Sequence, residues 1–130
     1  MRRLVIDVQP GEYAVARLDA KAEVPPSLLG ADDGLVSLTR TSDELSVVCP
    51  AALVPGGADV DGDWRLLSVR GPLAFTLTGI IAALSSELAA AGVALFSLST
   101  FDTDHVLVKG AELDRAVAAL TGAGHEVHGV

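Results

Sequence analysis

Between residues 64 and 130 the spacing of apolar residues alternates between the period of a strand and that of a helix, and this order constrains the fold most. Trp64-Arg65-Leu66-Leu67-Ser68-Val69-Arg70 reads as a strand, ended by Gly71-Pro72. Proline suits the first turn of a helix, so a helix is expected to open there. Leu77, Ile80, Ile81, Leu84, Leu88 and Ala91 then recur at helical spacing, with Thr78, Ser85, Ser86 and Glu87 mostly off that stripe. Gly92 stops this helix as a left-handed cap residue does. Residues 93–98 are short, apolar and strand-like, 104–109 is their expected antiparallel neighbour, and 100–103 is the turn between them. Leu113, Ala116, Val117 and Leu120 form a second amphipathic stripe, closed by Gly122 and Gly124. Residues 125–130 read as a last strand.

The resulting order is β-α-β-β-α-β, the ferredoxin-like α+β arrangement, in which two helices cover one face of an antiparallel sheet. The N-terminal half repeats part of that order. Residues 13–18 are strand-like, and 25–29 make only a short helical turn. Residues 34–40 and 44–49 read as a hairpin around Thr41-Ser42-Asp43. The Gly- and Asp-rich stretch 55–63 reads as a linker. The division expected is therefore a partial module over 1–60 and a complete one over 61–130. The first half lacks a convincing second helix. It should need the other half, or a partner chain, to cover its sheet.

Half of the 130 residues are hydrophobic and 20% are charged, which is ample for a packed core and argues against disorder. Aromatic residues make up only 4%, so that core must rest on Leu, Val, Ala and Ile. A net charge of −8 repels nucleic-acid phosphates and anionic membrane surfaces. Cys49 is the only cysteine, so no internal disulfide forms, which fits a reducing, cytoplasmic setting. The basic N-terminus is followed by an apolar run too short for a signal peptide, because Asp7 interrupts it. The apolar-rich residues 77–96 are broken by Gly79, Ser85, Ser86, Glu87 and Gly92, and read as a helix plus a strand with no membrane span.

Two places carry the chemistry that the chain offers. A helix opening at Gly71 would point its first N–H groups at an incoming anion; the plainer reading is a strand-to-helix turn. Gly79 falls one turn inside that expected helix, where it costs ~1 kcal/mol relative to Ala. Either a ligand or a packed strand approaches its bare backbone. Asp102 and Asp104 lie in Ser99-Thr100-Phe101-Asp102-Thr103-Asp104-His105. One of them is placed to accept an ammonium group, although such acids also cap turns. Together these two places suit a small zwitterion. Asp102, Asp104 and His105 match no metal motif, so no metal is expected. His125 and His128, three apart, read as solvated or edge residues, and Cys49 as a buried, inert thiol. There is no nucleophile with a base, no phosphate loop and no zinc spacing, so catalysis has no visible residues and no cofactor is expected.

Trp64, Gly71-Pro72-Leu73-Ala74-Phe75, Gly79-Ile80, Ser99-Thr100-Phe101-Asp102-Thr103-Asp104 and Leu107-Val108 resemble the ACT domains of the CASTOR type. These are the tandem ACT domains of cytosolic arginine sensors and their small bacterial relatives. The stretch from Leu38 to Pro50 is similar to the N-terminal module of those bacterial proteins. The resemblance implies a non-catalytic regulatory module that binds an amino acid at a domain interface. It implies a ligand site built from Val69, Arg70, Gly71, Pro72, Leu73, Phe75 and Gly79 on the loop side, and from Ser99, Thr100, Phe101 and Asp104 on the strand-turn side. Asp104 would take an amino group or a basic side chain. Backbone N–H groups near Gly71 would take the carboxylate, and Phe101 would cover the aliphatic part. A homodimer is expected, because the edges of a half-covered sheet need protection, and a regulated enzyme is a natural partner. An assembly module with a vestigial site is the alternative, and a small enzyme a third reading.

Overall fold

The computed structural model describes residues 3–30, 34–73 and 79–130. The chain forms two compact units, one of Met1–Pro10 with Arg65–Val130 and one of Gly11–Trp64.

In the first unit, a sheet runs in the order β6 (Leu95–Ser99), β7 (Asp104–Lys109), β5 (Asp59–Val69), β1 (Val5–Val8) and β8 (Glu126–His128). Helices α2 (Ile80–Ala90) and α3 (Leu113–Gly122) complete the β-α-β-β-α-β order. The fold is ferredoxin-like α+β, as the periodicity predicts. Its core shows why the pattern works. Leu67 and Val69 of β5, and Val106 and Val108 of β7, alternate towards the same cluster as Ile80, Leu84 and Leu88 of α2 and Ala116 and Leu120 of α3. Both helices therefore lie on one face of the sheet.

The first strand was not expected. Leu4, Ile6 and Val8 alternate with Val5 and Asp7, a strand period hidden by its shortness. Ile6 pairs antiparallel with Val69 and parallel with Val127, so β1 is inserted between β5 and β8. The first ten residues thus belong with residues 65–130, not with the N-terminal module in which the 1–60 division places them. The cause is burial: Leu4, Ile6 and Val8 all enter the core cluster of this unit.

The second unit holds β2 (Tyr13–Leu18), a four-residue helix α1 (Pro26–Leu29), β3 (Ser37–Arg40), β4 (Leu45–Pro50) and the N-terminal part of β5, in the order β3-β4-β2-β5. Its own core gathers Ala16, Leu28, Leu45, Val47 and Cys49. A single 3-10 turn, Ala51–Leu53, stands where a second helix would be. The expected linker 55–63 is corrected in part. Residues 59–63 are strand, because Asp59, Val60 and Asp61 pair with Arg17, Ala16 and Val15. Ladder pairing overrides the poor strand propensity of Asp and Gly. The register shifts between Tyr13 and Val15, and Asp63 lies in the left-handed region at φ 64°, which marks a bulge.

Candidate functional site

The loop after β5 and the turn between β6 and β7 meet within the first unit. Val69 carbonyl accepts from Thr103 Oγ1 at 2.6 Å, and Leu73 N–H donates to Asp102 carbonyl at 2.6 Å. Gly71 sits between these two bonds. A Cβ on Gly71 would lie 3.0 Å from Asp102 carbonyl oxygen and 3.1 Å from Thr103 Cβ, so the approach of loop to turn requires glycine. The turn itself is closed by Thr100 N–H donating to Thr103 carbonyl at 2.8 Å. Ser99 Oγ donates to Asp104 Oδ1 at 2.5 Å across the end of the hairpin, which fixes the Asp104 carboxylate.

These contacts place most of the residues anticipated for a site. Gly71, Pro72, Ser99, Thr100 and Phe101 are exposed, and Leu73 and Asp104 are half-buried. Phe101, 79% exposed, is the largest apolar side chain at the turn. Val69 turns its side chain into the core and offers only its carbonyl. Arg70 points its guanidinium at Asp7, with Nε to Oδ2 at 3.1 Å and a terminal nitrogen to Oδ1 at 2.6 Å. Phe75 lies outside the described residues.

Two expectations change. The helix does not open at Gly71. It starts at Ile80, with Gly79 as its N-cap at φ 80°, ψ 4°. Gly79 is therefore not one turn inside the helix, and its left-handed conformation is what glycine supplies there. The N–H groups near Gly71 are also fewer than expected. Among the described residues of this loop, Pro72 has none and Leu73 gives its own to Asp102, which leaves the N–H of Gly71 beside them.

Polar groups that sequence reasoning did not bring together lie on the sheet face away from the helices. Ser68 Oγ and His105 Nδ1 are 2.8 Å apart, and Ser68 is paired in register with Asp7. The hydrogen bond from Arg70 holds the Asp7 carboxyl below its ordinary range, with burial opposing. Burial pushes His105 below its usual value, against the charge of Asp104. Asp7 and the buried Ser68 were legible as positions facing away from the helices on alternating strands, once β1 is recognised as one. His125 is a further correction. It is buried at 4% exposure, and its Nδ1 accepts the Leu4 N–H at 3.0 Å, tying β1 to the sheet. His128 is exposed, and its Nε2 lies 2.6 Å from Glu126 Oε2. Cys49 is fully buried, and burial pushes its thiol up, as for an inert residue. Among the described residues, no group of three or more His, Cys, Asp or Glu is placed to hold a metal, and no helix is long and apolar enough to cross a membrane.

This loop-turn junction belongs to a ferredoxin-like α+β module. Residues 59–122 match the family model of the ACT domain, and residues 11–57 match the model of a separate N-terminal domain. A crystal structure of an Agobacterium tumefaciens protein is 38% identical, with a TM-score of 0.89 over 98% of this chain and 94% of that one. The regulatory subunit of aspartate kinase from Thermus thermophilus shares the fold, with a TM-score of 0.66 at 10% identity over 92% of this chain and 96% of that one. The human protein named cytosolic arginine sensor for mTORC1 subunit 1 is 44% identical over 46 residues, 35% of this chain and 14% of the sensor. The chain thus spans about one seventh of the curated sensors it matches. Over residues 59–122 the chain is thus similar to ACT domains.

Proposed function

We propose that this chain is a non-catalytic, cytoplasmic regulatory protein of the CASTOR-like kind. It binds an amino acid or similar small zwitterion, works as a homodimer, and acts on a regulated enzyme. The observation that carries the reading is the junction of the 69–73 loop with the 100–103 turn, pinned by the bonds from Leu73 to Asp102 and from Thr103 to Val69. Such a junction is preorganised, and preorganisation lowers the cost of binding. Asp104, oriented by Ser99, supplies the negative charge for an ammonium group. Gly71, an exposed residue, would offer its N–H to the carboxylate, and the exposed Phe101 on the neighbouring turn would cover an aliphatic part. The ACT match over residues 59–122, and the likeness of one stretch to an arginine sensor, support an amino acid as the ligand. The absence of a membrane-crossing helix among the described residues supports the cytoplasm.

The test is a thermal-shift screen against the twenty amino acids, each in millimolar excess. A ligand at ~100 times its Kd adds ~2.7 kcal/mol, a shift of several degrees. Asp104→Ala should abolish that shift and leave the unliganded Tm nearly unchanged. Twenty flat curves on well-folded protein would overturn the sensor and favour an assembly module with a vestigial site, a reading that the exposure of Phe101 also serves.

A further inference from the structure

We infer that His125 is a proton-operated latch on the N-terminal strand: the neutral ring holds the start of β1 against β8, and the protonated ring releases it. This goes beyond the proposed function and does not rest on it.

The latch is built at Leu4. Leu4 N–H donates to His125 Nδ1 at 3.0 Å, and Leu4 carbonyl accepts the Glu126 N–H at 2.9 Å. Both backbone groups of one residue are thus held by His125 and Glu126, at the start of β8. The Leu4 side chain lies in the core cluster. Because Nδ1 accepts, it carries no proton, and the proton of the neutral ring sits on Nε2. That nitrogen is buried and has no hydrogen-bond partner among the described residues. The ring therefore has one hydrogen bond, and that bond requires a bare Nδ1.

A second proton can enter only at Nδ1. It would set an N–H against the Leu4 N–H, so the bond is lost and two donors face each other in a buried place. A carboxylate could offset the charge, but the charged groups on the neighbouring elements are engaged or remote. In β8, Glu126 is turned to Arg3 at 2.5 Å and to His128 at 2.6 Å. In β1, Asp7 is bound by Arg70. Helix α3 carries Asp114 and Arg115 in its first turn, at the end away from His125, and no titratable residue from 116 to 124. The rest of β1 is held independently of the latch. Val5 carbonyl accepts the Arg70 N–H, and Gln9 N–H donates to Leu66 carbonyl, both at 2.8 Å. The strand thus opens from its start while its ladder to β5 remains. Opening bares the Leu4 side chain and the Glu126 N–H on the inner edge of β8.

The experiment is nuclear magnetic resonance of the full chain from about pH 8 to about pH 5, the span over which a histidine ordinarily takes up its proton. Ring nitrogen shifts read the protonation of His125, and hydrogen exchange reads the protection of the Leu4 and Gln9 amides. At the alkaline end the ring should carry its proton on Nε2, and Leu4 should be protected. As the pH falls, Leu4 should lose about tenfold in protection per pH unit, because one proton is bound on opening, while Gln9 keeps its protection. His125→Asn keeps an oxygen to accept the Leu4 N–H and does not titrate, so its Leu4 should stay protected throughout. A wild-type Leu4 that stays protected to the acid limit overturns the latch. Loss of protection at Leu4 and Gln9 together overturns it as well, because the transition is then global. So does an equal loss in His125→Asn, which assigns the release to another acid-sensitive group, such as the Glu126 pair with Arg3. If His125→Asn fails to fold, the coincidence of ring protonation with Leu4 release in the wild-type chain decides by itself. The amino-acid screen reads a different site, so its outcome leaves the latch untouched.

Discussion

A side chain at Gly71 would begin where Asp102 carbonyl oxygen and Thr103 Cβ already stand, at 3.0 and 3.1 Å. The nearest of these atoms is backbone and gives little. Gly71→Ala should therefore cost about 1–3 kcal/mol, the range of overpacking, and loosen the junction. The urea midpoint should fall with the m-value unchanged, and any amino-acid response should weaken with it. His105 makes the second residue-scale prediction. Burial lowers its folded pKa below the ordinary 6.5, so the unfolded chain binds the proton more readily. The contribution of neutral His105 is fully present above 6.5 and is lost as pH falls through the lower folded value. Stability should thus rise with pH across that window. His105→Gln, which keeps a polar partner for Ser68 but does not titrate, should flatten this part of the profile of urea midpoint against pH. At this scale the sequence marked Gly71 and Asp104 as positions with chemistry. It misread His125, because a spacing of three between two histidines says nothing of a core closing over one of them.

Among the elements, β1 shows most clearly how burial decides membership. It is four residues long, yet it occupies the place between β5 and β8 and binds both. Ile6 is 1% exposed and lies in the core cluster of residues drawn from 65–130. Ile6→Ala should cost about 2–5 kcal/mol, a large share of the stability of a domain this size. Were β1 a mere N-terminal extension, the change would be near neutral, and urea unfolding separates the two outcomes. The two helices were legible because each carries an apolar stripe over about three turns. The start of α2 was not. Proline at 72 is compatible with a helix start, but a left-handed Gly79 is the actual boundary, and nothing in the one-dimensional pattern distinguishes the two. The strand at 59–63 was hidden for a related reason. Its Asp and Gly residues carry little strand propensity, and it exists because β2 presents a ladder to it.

For the whole molecule, charge matters more than any one contact. Each chain carries −8, so two copies repel through solvent. The Debye length shrinks from about 30 Å at 0.01 M salt to about 10 Å at 0.1 M. Self-association should therefore strengthen as salt rises over that range, and sedimentation at the two ionic strengths checks it. An association held by ion pairs would respond in the opposite direction. Two compact units draw on one strand, β5, with residues 59–64 serving the second and residues 65–69 the first. The chain thus passes between units inside an element and not through a linker.

Local pattern alone determined the alternation of strand and helix over residues 64–130 and the ferredoxin-like order, and it marked the Gly-Pro loop and the Asp-rich turn as places with polar chemistry. These are properties of neighbours in the chain, where periods of 2 and 3.6 and the chemistry of Gly, Pro and Asp act directly. Only the tertiary structure decided that the first strand completes the last domain, that residues 59–63 are strand and that His125 is buried. It also decided that the N–H of Leu73 is spent on Asp102 and that α2 begins at Gly79. Each of these depends on a partner remote in sequence, and a short segment takes its conformation from the ladder or core that receives it.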